Sequence, residues 1–379
     1  MNKNINQSGF TIVELLVAAT LGVMILGAAV SMFSNNKRLY QSQDEMGRLQ
    51  ENARFALNIM INDLRMVGHV GCHGDANLVY NHLKGVTPGW DSTKNLPKGG
   101  NFASPDPTGL FAFQENLLIE GSNNKSSWFP SASTEEVSGM VASSDAITIR
   151  YLEPVDFYLM DNGVDQTAET IKVSSNSGLD KGHVVALSDC NGSDMIQITK
   201  APTTTGCGVP ARNSTGPTDT CYSTVEFKDG TIAGVSPGNE YSALSHDYNL
   251  SNEAKFLRAR TNRYFIGLDG DGNHALFRKS NDDSAEPIVD GVENMQVLYG
   301  EDTDGDLSAN SYLAANAVSN WGNVVSVQIG LLVRTPDEYG PDVDNDTYRV
   351  LDELAIDPAN DRRQRRVVST TIQLRNRNI

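Results

Sequence analysis

The hydrophobic pattern of the chain begins with one uninterrupted apolar run. From Phe10 to Phe33 the sequence contains a single ionisable side chain, Glu14, and no proline. At about 1.5 Å per residue, a helix of this length crosses the roughly 30 Å hydrocarbon core of a bilayer. The pattern therefore predicts a membrane-spanning helix at residues 10–33.

An amphipathic pattern follows at residues 34–71. Apolar residues recur there at intervals of three, four or seven, which is the period of one helical face. No proline interrupts residues 10–67, and Gly68 and Gly71 are suitable terminators. One helix of about 58 residues, roughly 87 Å long, is predicted. The apolar positions are Leu39, Met46, Leu49, Ala53, Ala56, Met60, Leu64 and Val67.

Residues 72–379 have the pattern of a β-rich body. Long loops with short strands are expected over 73–140, and alternating apolar residues predict strands beyond residue 145. A long helix followed by mostly antiparallel strands is an α+β architecture, with an enlarged head packed on the second half of the helix. The predicted strands are 117–120, 145–151, 183–188, 195–199, 263–268, 275–279, 292–299, 324–334 and 367–375.

The nine residues before the apolar run suggest a processing site. A secretory signal places its small-residue cleavage site after the apolar run, whereas here Gly9 stands directly before it. This arrangement resembles the processing site of type IV prepilins. The resemblance implies that prepilin peptidase removes residues 1–9, that Phe10 becomes the N-methylated N-terminus, and that Glu14 is the family's assembly glutamate.

Glu14 is the one charge in the apolar run. A carboxylate near mid-bilayer costs on the order of 2.5–3.5 kcal/mol, less near the helix ends, so such a residue usually has a partner. The pilin resemblance implies that the partner is the N-terminal amine of a neighbouring subunit. The alternative is a glutamate that reaches the headgroups from near the helix end.

Three further stretches resemble the PilW group of minor pilins: Asp63 to Gly68 followed by Cys72, residues 183–199, and residues 299–306. The resemblance implies a non-enzymatic minor pilin of a Gram-negative type IV pilus, anchored in the inner membrane with a periplasmic head. Its expected partners are other minor pilins in a priming or tip complex, the major pilin and the inner-membrane assembly platform. The alternatives are a minor pseudopilin of a type II secretion system and a membrane-tethered binding protein or adhesin.

Charge and cysteine content narrow the choice of function. The formal net charge is -17, which argues against a nucleic-acid-binding body because that would need a basic face. Four cysteines beyond a membrane suggest two disulfides, with three pairings open. The short loop between Cys207 and Cys221 favours a bridge there, which would leave Cys72 with Cys190.

Three acidic clusters are candidate metal sites. Asp302, Asp304 and Asp306 follow a predicted strand, and clustered carboxylates at a tight turn suit Ca²⁺, although the spacing is not that of an EF-hand. The cluster of Asp342, Asp344, Asp346 and Glu353 lacks the glycine of an EF loop. Asp269, Asp271 and Asn273 are expected to supply the left-handed residues of a hairpin turn. For all three, solvated turn chemistry is the alternative.

Catalytic and other binding signals are weak. The histidines lack HExxH spacing, and the sequence has no P-loop. A zinc site at His69 and His73 would compete with a disulfide at Cys72. The basic run at residues 362–366 is either a site for an acidic partner or a solvated strand flank. No enzyme is predicted.

Overall fold

The computed structural model describes residues 11–377 except 73, 84–87, 92–95, 103–117, 124–138, 157, 161–162, 175–177, 206–221, 229–237, 241, 250–252, 282, 339–341, 352 and 359. One long helix, α1 (Ile12–Met66), precedes a body of strands, with short 3₁₀ turns at Ala76–Leu78 and Trp321–Asn323. The strands are β1 (Val79–Asn81), β2 (Pro88–Asp91), β3 (Leu96–Phe102), β4 (Ile119–Ser122), β5 (Ala146–Pro154), β6 (Gly163–Val164), β7 (Thr170–Val173), β8 (Val184–Ser188), β9 (Ser193–Gln197), β10 (Lys200–Thr205), β11 (Tyr222–Glu226), β12 (Tyr248–Asn249), β13 (Lys255–Leu268), β14 (His274–Ser280), β15 (Glu286–Asp290), β16 (Val292–Glu301), β17 (Ser311–Leu313), β18 (Val324–Arg334), β19 (Tyr348–Val350), β20 (Glu353–Ile356) and β21 (Arg365–Gln373).

The long helix is continuous, as its periodicity predicts. It runs for 55 residues and ends at Met66, five residues before the boundary expected at 71. The chain leaves the helix through Gly68 (φ +76°) and Gly71 (φ +111°), a backbone conformation that favours glycine. A Cβ on Gly68 would also lie 2.9 Å from the Asn376 carbonyl oxygen, so the terminator position has no room for a side chain.

The larger sheet has eight strands and is built around β13. Its order is β1-β9-β8-β13-β14-β15, and β5 pairs with β13 and carries β4 on its other side. All these pairs are antiparallel except β1 with β9. The predicted hairpins β8–β9 and β13–β14 are both present, and β13 begins at Lys255, earlier than the pattern indicated.

A four-stranded antiparallel sheet contains the C-terminal strands in the order β17-β16-β18-β21. Three smaller sheets complete the described part of the head: β10-β11-β7, β12-β6 and β19-β20. The strands β2 and β3 form a further pair. The head is therefore a mostly antiparallel β body behind one helix, which confirms the predicted α+β class.

Two large apolar cores hold most of these elements together. In the first, one face of α1 packs on both large sheets; that face is formed by Leu49, Ala53, Ala56, Met60 and Leu64. The second lies away from the helix, where the sheets β10-β11-β7 and β12-β6 pack against β8, β9 and the start of β13. The predicted apolar stripe is correct from Met46 onward, but Leu39 is exposed.

One local prediction is incomplete and another is wrong. The alternation in β5 and β18 places apolar residues on one face of each strand, and that face is buried, but the opposite face is almost wholly buried as well. In the β13–β14 turn, Asp269, Asp271 and Asn273 do not adopt the left-handed conformation; Gly272 does, at φ +79°. Asp269 instead accepts hydrogen bonds from the amides of Asp271 and Asn273.

Candidate functional site

The first half of α1, up to about residue 40, is exposed along its length in the part of the chain that the structure describes. Its apolar side chains are exposed from Ile12 (80%) to Phe33 (73%). Within the described residues, α1 is the one helix long and apolar enough to cross a membrane. Exposing so much apolar surface to water is costly, so this half needs a lipid or protein environment. It is the candidate functional surface.

The N-terminus of α1 is closed by a capping box. The Thr11 hydroxyl accepts a hydrogen bond from the Glu14 amide at 3.3 Å, and the Glu14 carboxylate accepts from the Thr11 amide at 2.9 Å. The sequence predicts for Glu14 either a partner in another subunit or a position at the headgroups; this capping box was not predicted, although Thr followed three residues later by Glu is its signature. The processing residues Gly9 and Phe10 lie outside the described part of the chain.

The second half of α1 is fastened to the head by polar groups as well as by its apolar face. The Asp63 carboxylate accepts hydrogen bonds from the Tyr264 hydroxyl at 2.5 Å, the Asn262 side-chain amide at 2.6 Å and the Tyr151 hydroxyl at 3.3 Å. Burial and the nearby Asp63 charge raise the pKa of both tyrosines, so each stays a protonated donor. Nothing in the sequence pattern singled out Asp63 for this role.

Both ends of this anchored half have further ties. At its start, the Gln364 side chain donates to the Ser42 hydroxyl at 2.9 Å. At its end, the Asn376 side chain donates to the carbonyl oxygens of Arg65 (3.1 Å) and Val67 (3.3 Å). Carbonyls in the last turn of a helix lack partners within the helix, so the C-terminal segment caps α1.

A disulfide joins the segment after the helix to the larger sheet. Cys72 and Cys190 are bridged with a Cα–Cα distance of 4.7 Å. Cys190 lies in the β8–β9 turn, where the Asp189 carboxylate accepts from the Gly192 amide at 3.2 Å and contacts His246 Nε2 at 3.1 Å. This is one of the two bridges expected from the sequence; Cys207 and Cys221, the expected partners in the other, lie outside the described residues.

A buried polar cluster beside this turn was missed by sequence reasoning. The Asp194 carboxylate contacts His82 Nε2 at 2.5 Å and accepts from the hydroxyls of Ser245 and Tyr248, both at 2.6 Å. Burial opposes ionisation, but His82 and these donors outweigh it, so the pKa of Asp194 lies below its usual value. The contacts join three segments that are distant from one another in sequence, so the cluster stabilises the fold.

The candidate calcium residues do come together. One carboxylate oxygen from each of Asp302, Asp304 and Asp306 lies within 4.8 Å of the others, with Asp302 buried and the other two exposed. The Asp302 carboxylate accepts from the amides of Gly305 (2.7 Å) and Leu307 (2.9 Å). These hydrogen bonds from backbone amides, that of Gly305 first, lower the pKa of Asp302. The loop is thus shaped by its own backbone around a converging set of carboxylates.

The second acidic cluster is organised by arginine instead. The Asp344 carboxylate accepts from Arg365 at 2.9 Å and from the Tyr348 hydroxyl at 2.9 Å. Arg365 is buried and also binds both carboxylate oxygens of Glu293 and of Asp361. Burial and the Asp344 contact raise the pKa of Tyr348 to about 12. Asp344 is therefore occupied as an ion-pair partner.

Two weaker candidates from the sequence are only partly described or are occupied by other contacts. His69 Nδ1 contacts the Leu152 carbonyl oxygen at 2.6 Å, while His73 lies outside the described residues. In the basic run, Arg363 and Arg365 turn inward to Asp361, whereas Arg362 and Arg366 are exposed.

Two family models match the chain. Residues 263–376 match PilW, the type IV pilus-assembly protein W, and residues 4–30 match the prokaryotic N-terminal methylation motif. The chain is PilW-like, with a prepilin-type N-terminus. The PilW match covers the last part of β13 and all of β14–β21, about a third of the chain. It includes residues 299–306 but not the other two stretches that suggested the resemblance.

Other comparisons add little to the PilW-like assignment. The type IV-like pilin TTHA1219 from Thermus thermophilus is similar with 19% identity, over 32% of this chain and 70% of that one, at a TM-score of 0.22. No curated protein matches the chain. The methylation motif implies prepilin peptidase processing, and with the exposed apolar helix it fits membrane anchoring in a pilus.

Proposed function

We propose that this PilW-like protein is a minor pilin that takes part in type IV pilus assembly in a Gram-negative bacterium. The observation that carries the proposal is the division of α1 at about residue 40. The first half exposes a continuous apolar surface with one carboxylate, and the second half is anchored in the head by Asp63 and the apolar core. A helix divided in this way holds the head outside a bilayer and presents the first half to other apolar helices.

The proposed path begins in the inner membrane, with the head in the periplasm. Prepilin peptidase cuts after Gly9, and Phe10 becomes the methylated N-terminus. The chain then joins a priming or tip complex with other minor pilins, and the inner-membrane assembly platform adds the major pilin. Mass spectrometry of the mature N-terminus tests the first step, and retention of residues 1–9 in a strain with active peptidase would contradict the proposal.

In this proposal Glu14 has two roles, one before assembly and one during it. Before assembly its carboxylate caps its own helix through Thr11, which lowers the cost of placing a charge in lipid. During assembly the same carboxylate meets the N-terminal amine of a neighbouring pilin and sets the axial register. Replacing the neutral Thr11 amide with a charged amine as the partner of the Glu14 carboxylate is favourable in a medium of low dielectric constant.

The contacts that fasten the C-terminal end of α1 to the head suit a subunit whose helix is under tension. The Cys72–Cys190 bridge and the Asn376 cap both join the end of the helix to the sheets. Force applied to the helix would then reach the head without separating it from the stalk. The role is structural, and no enzymatic step is proposed.

The nearest alternative is a minor pseudopilin of a type II secretion system, which shares the N-terminal signature. A membrane-tethered adhesin is the second. Deletion of the gene, scored for surface pili and for secreted enzymes in the same strain, separates them. Loss of pili with normal secretion supports the proposal, loss of secretion alone supports the pseudopilin, and loss of surface binding with normal pili supports the adhesin.

A further inference from the structure

The strand β21 is an open edge of the four-stranded sheet. In the part of the chain that the structure describes, β21 pairs with β18 and with no other strand. The pairing runs from Ser326 opposite Gln373 to Arg334 opposite Arg365 with no bulge. The strand is nine residues long, so its free side is long enough to pair with another segment.

The hydrogen bonds at its two ends show which backbone groups face outward. The Leu374 amide donates to the Val325 carbonyl, and the Gln364 carbonyl accepts from the Thr335 amide, so both residues point toward β18. Alternate residues of a strand point to opposite neighbours. The N–H and C=O groups of Val367, Ser369 and Thr371 therefore point to the open side.

The middle of this edge lacks the usual protection against pairing. Natural edge strands carry charged side chains, proline or bulges that prevent other chains from adding to them. Residues 367–373 read Val-Val-Ser-Thr-Thr-Ile-Gln and contain none of these; the charges of β21, Arg365 and Arg366, lie at its start, and of the two only Arg366 is exposed. An edge of this kind binds extended peptides through main-chain hydrogen bonds.

Positive charge at the two ends of β21 indicates which charge a segment bound at this edge would carry. Arg366 near the start of the strand and Arg375 just after its end are both exposed, and neither forms an ion pair with a described residue. Paired copies of β21 would bring arginines together in either strand direction, and like charges repel. A segment with acidic residues at both ends complements these two arginines. The rest of the protein, whose net charge is -17, repels such a segment.

We propose that the open edge of β21 binds an extended segment of another polypeptide, which adds as a strand and carries acidic residues at both ends. The inference does not depend on the pilus assignment, because it rests on the edge and its arginines alone.

The test uses the purified full chain in detergent micelles and a fluorescent probe peptide, Glu-Glu-Thr-Val-Thr-Val-Thr-Glu-Glu. The same peptide with lysine in place of glutamate is the control probe. Saturable binding of the acidic peptide alone is expected by fluorescence anisotropy. Equal binding of both peptides, or of neither, would overturn the proposal, as would concentration-dependent dimerisation that blocks the probe.

Matched variants locate the site. Ser369→Pro removes an outward amide without touching the β18 ladder, so binding should weaken about tenfold while Ser369→Ala binds normally. Reversing both Arg366 and Arg375 to Glu should also weaken binding about tenfold, and the exposed Lys255→Glu should not. Full binding by the charge-reversed pair would refute the acidic partner.

Hydrogen exchange supplies a readout that does not depend on a variant folding. In the wild-type chain, the probe should slow exchange of the Ser369 and Thr371 amides, which face the open edge. The Thr370 amide, which faces β18, should exchange slowly with or without it. Unchanged exchange at Ser369 and Thr371 in saturating probe would place the binding elsewhere.

Discussion

The Tyr264 hydroxyl, at the centre of the larger sheet, donates a hydrogen bond to the Asp63 carboxylate on α1 at 2.5 Å. The two residues are 201 positions apart, so this bond belongs to the tertiary fold alone. Asn262 and Tyr151 donate to the same carboxylate from neighbouring positions of the sheet. Asp63 thereby fixes both the rotation and the depth of the helix on the head.

Tyr264→Phe should weaken this attachment. Loss of a hydrogen bond to a charged group costs about 1.5–3 kcal/mol in unfolding free energy, because the half-buried Asp63 carboxylate keeps fewer donors. Urea unfolding of the full chain in detergent measures the change. Tyr158→Phe, at an exposed position, is the control and should differ by less than about 0.5 kcal/mol. Equal stability of the two variants would mean that the Tyr264 hydroxyl does not contribute to the attachment.

The helix could be predicted from the sequence because its signal is local. The intervals between Leu49, Ala53, Ala56, Met60 and Leu64 depend only on neighbouring turns, and the structure buries those residues. The β18 strand was placed at its observed bounds for a similar reason, since an alternating run carries its own evidence.

Contacts between segments that are distant in sequence leave no local pattern from which they could be predicted. Asp63 looks like any polar residue on an amphipathic helix, and only the position of Tyr264 gives it a partner. His82 and Asp194 likewise meet across 112 positions. The burial of both faces of β18 could not be predicted because it depends on distant segments, α1 and Val350 among them, that pack on the strand. The Asp302 cluster was found because its members are neighbours in sequence.

Glu14→Gln and Glu14→Ala should separate capping from charge. Glutamine retains a side-chain oxygen for the Thr11 amide and loses the charge, whereas alanine loses both. If the charge sets axial register, both variants should insert and be processed normally, yet fail to support piliation and pull-down of other pilins. Normal piliation by Glu14→Gln with failure of Glu14→Ala would instead assign the effect to the cap.

Replacing both Cys72 and Cys190 by serine should destabilise the head strongly. The bridge closes a sequence separation of 118 residues, which corresponds to about 4–5 kcal/mol in the chain-entropy model. The same replacement at Cys207 and Cys221 should cost about 3 kcal/mol, because that loop is shorter. Non-reducing peptide mapping checks the pairing first, and a peptide joining Cys72 to Cys207 or Cys221 would contradict it.

His274 should make the head less stable below neutral pH. Burial and the charge of Arg334 lower the pKa of this histidine, with Glu293 opposing and Arg365 adding to the effect. The unfolded chain therefore binds a proton near pH 6.5 that the folded chain does not, so stability is fully present above that pH and falls as the pH drops through it. His274→Gln should unfold with less difference between pH 7.5 and pH 5.5; an unchanged difference would exclude His274 as the cause.

The last prediction concerns calcium at Asp302, Asp304 and Asp306. The Asp302 carboxylate is already oriented by the amide of Gly305, so binding would not have to pay for ordering the turn, and water and carbonyls can complete the six to eight oxygens that Ca²⁺ takes. An ion that binds only the folded head stabilises it by about 2.7 kcal/mol at a hundredfold excess over Kd. Melting of the full chain should therefore rise in millimolar Ca²⁺ and fall in chelator. Asp304→Ala should remove most of the response, and Asp346→Ala, an exposed aspartate of the other cluster, should retain it. Identical melting of wild type and Asp304→Ala in both conditions would show that these aspartates form a solvated turn.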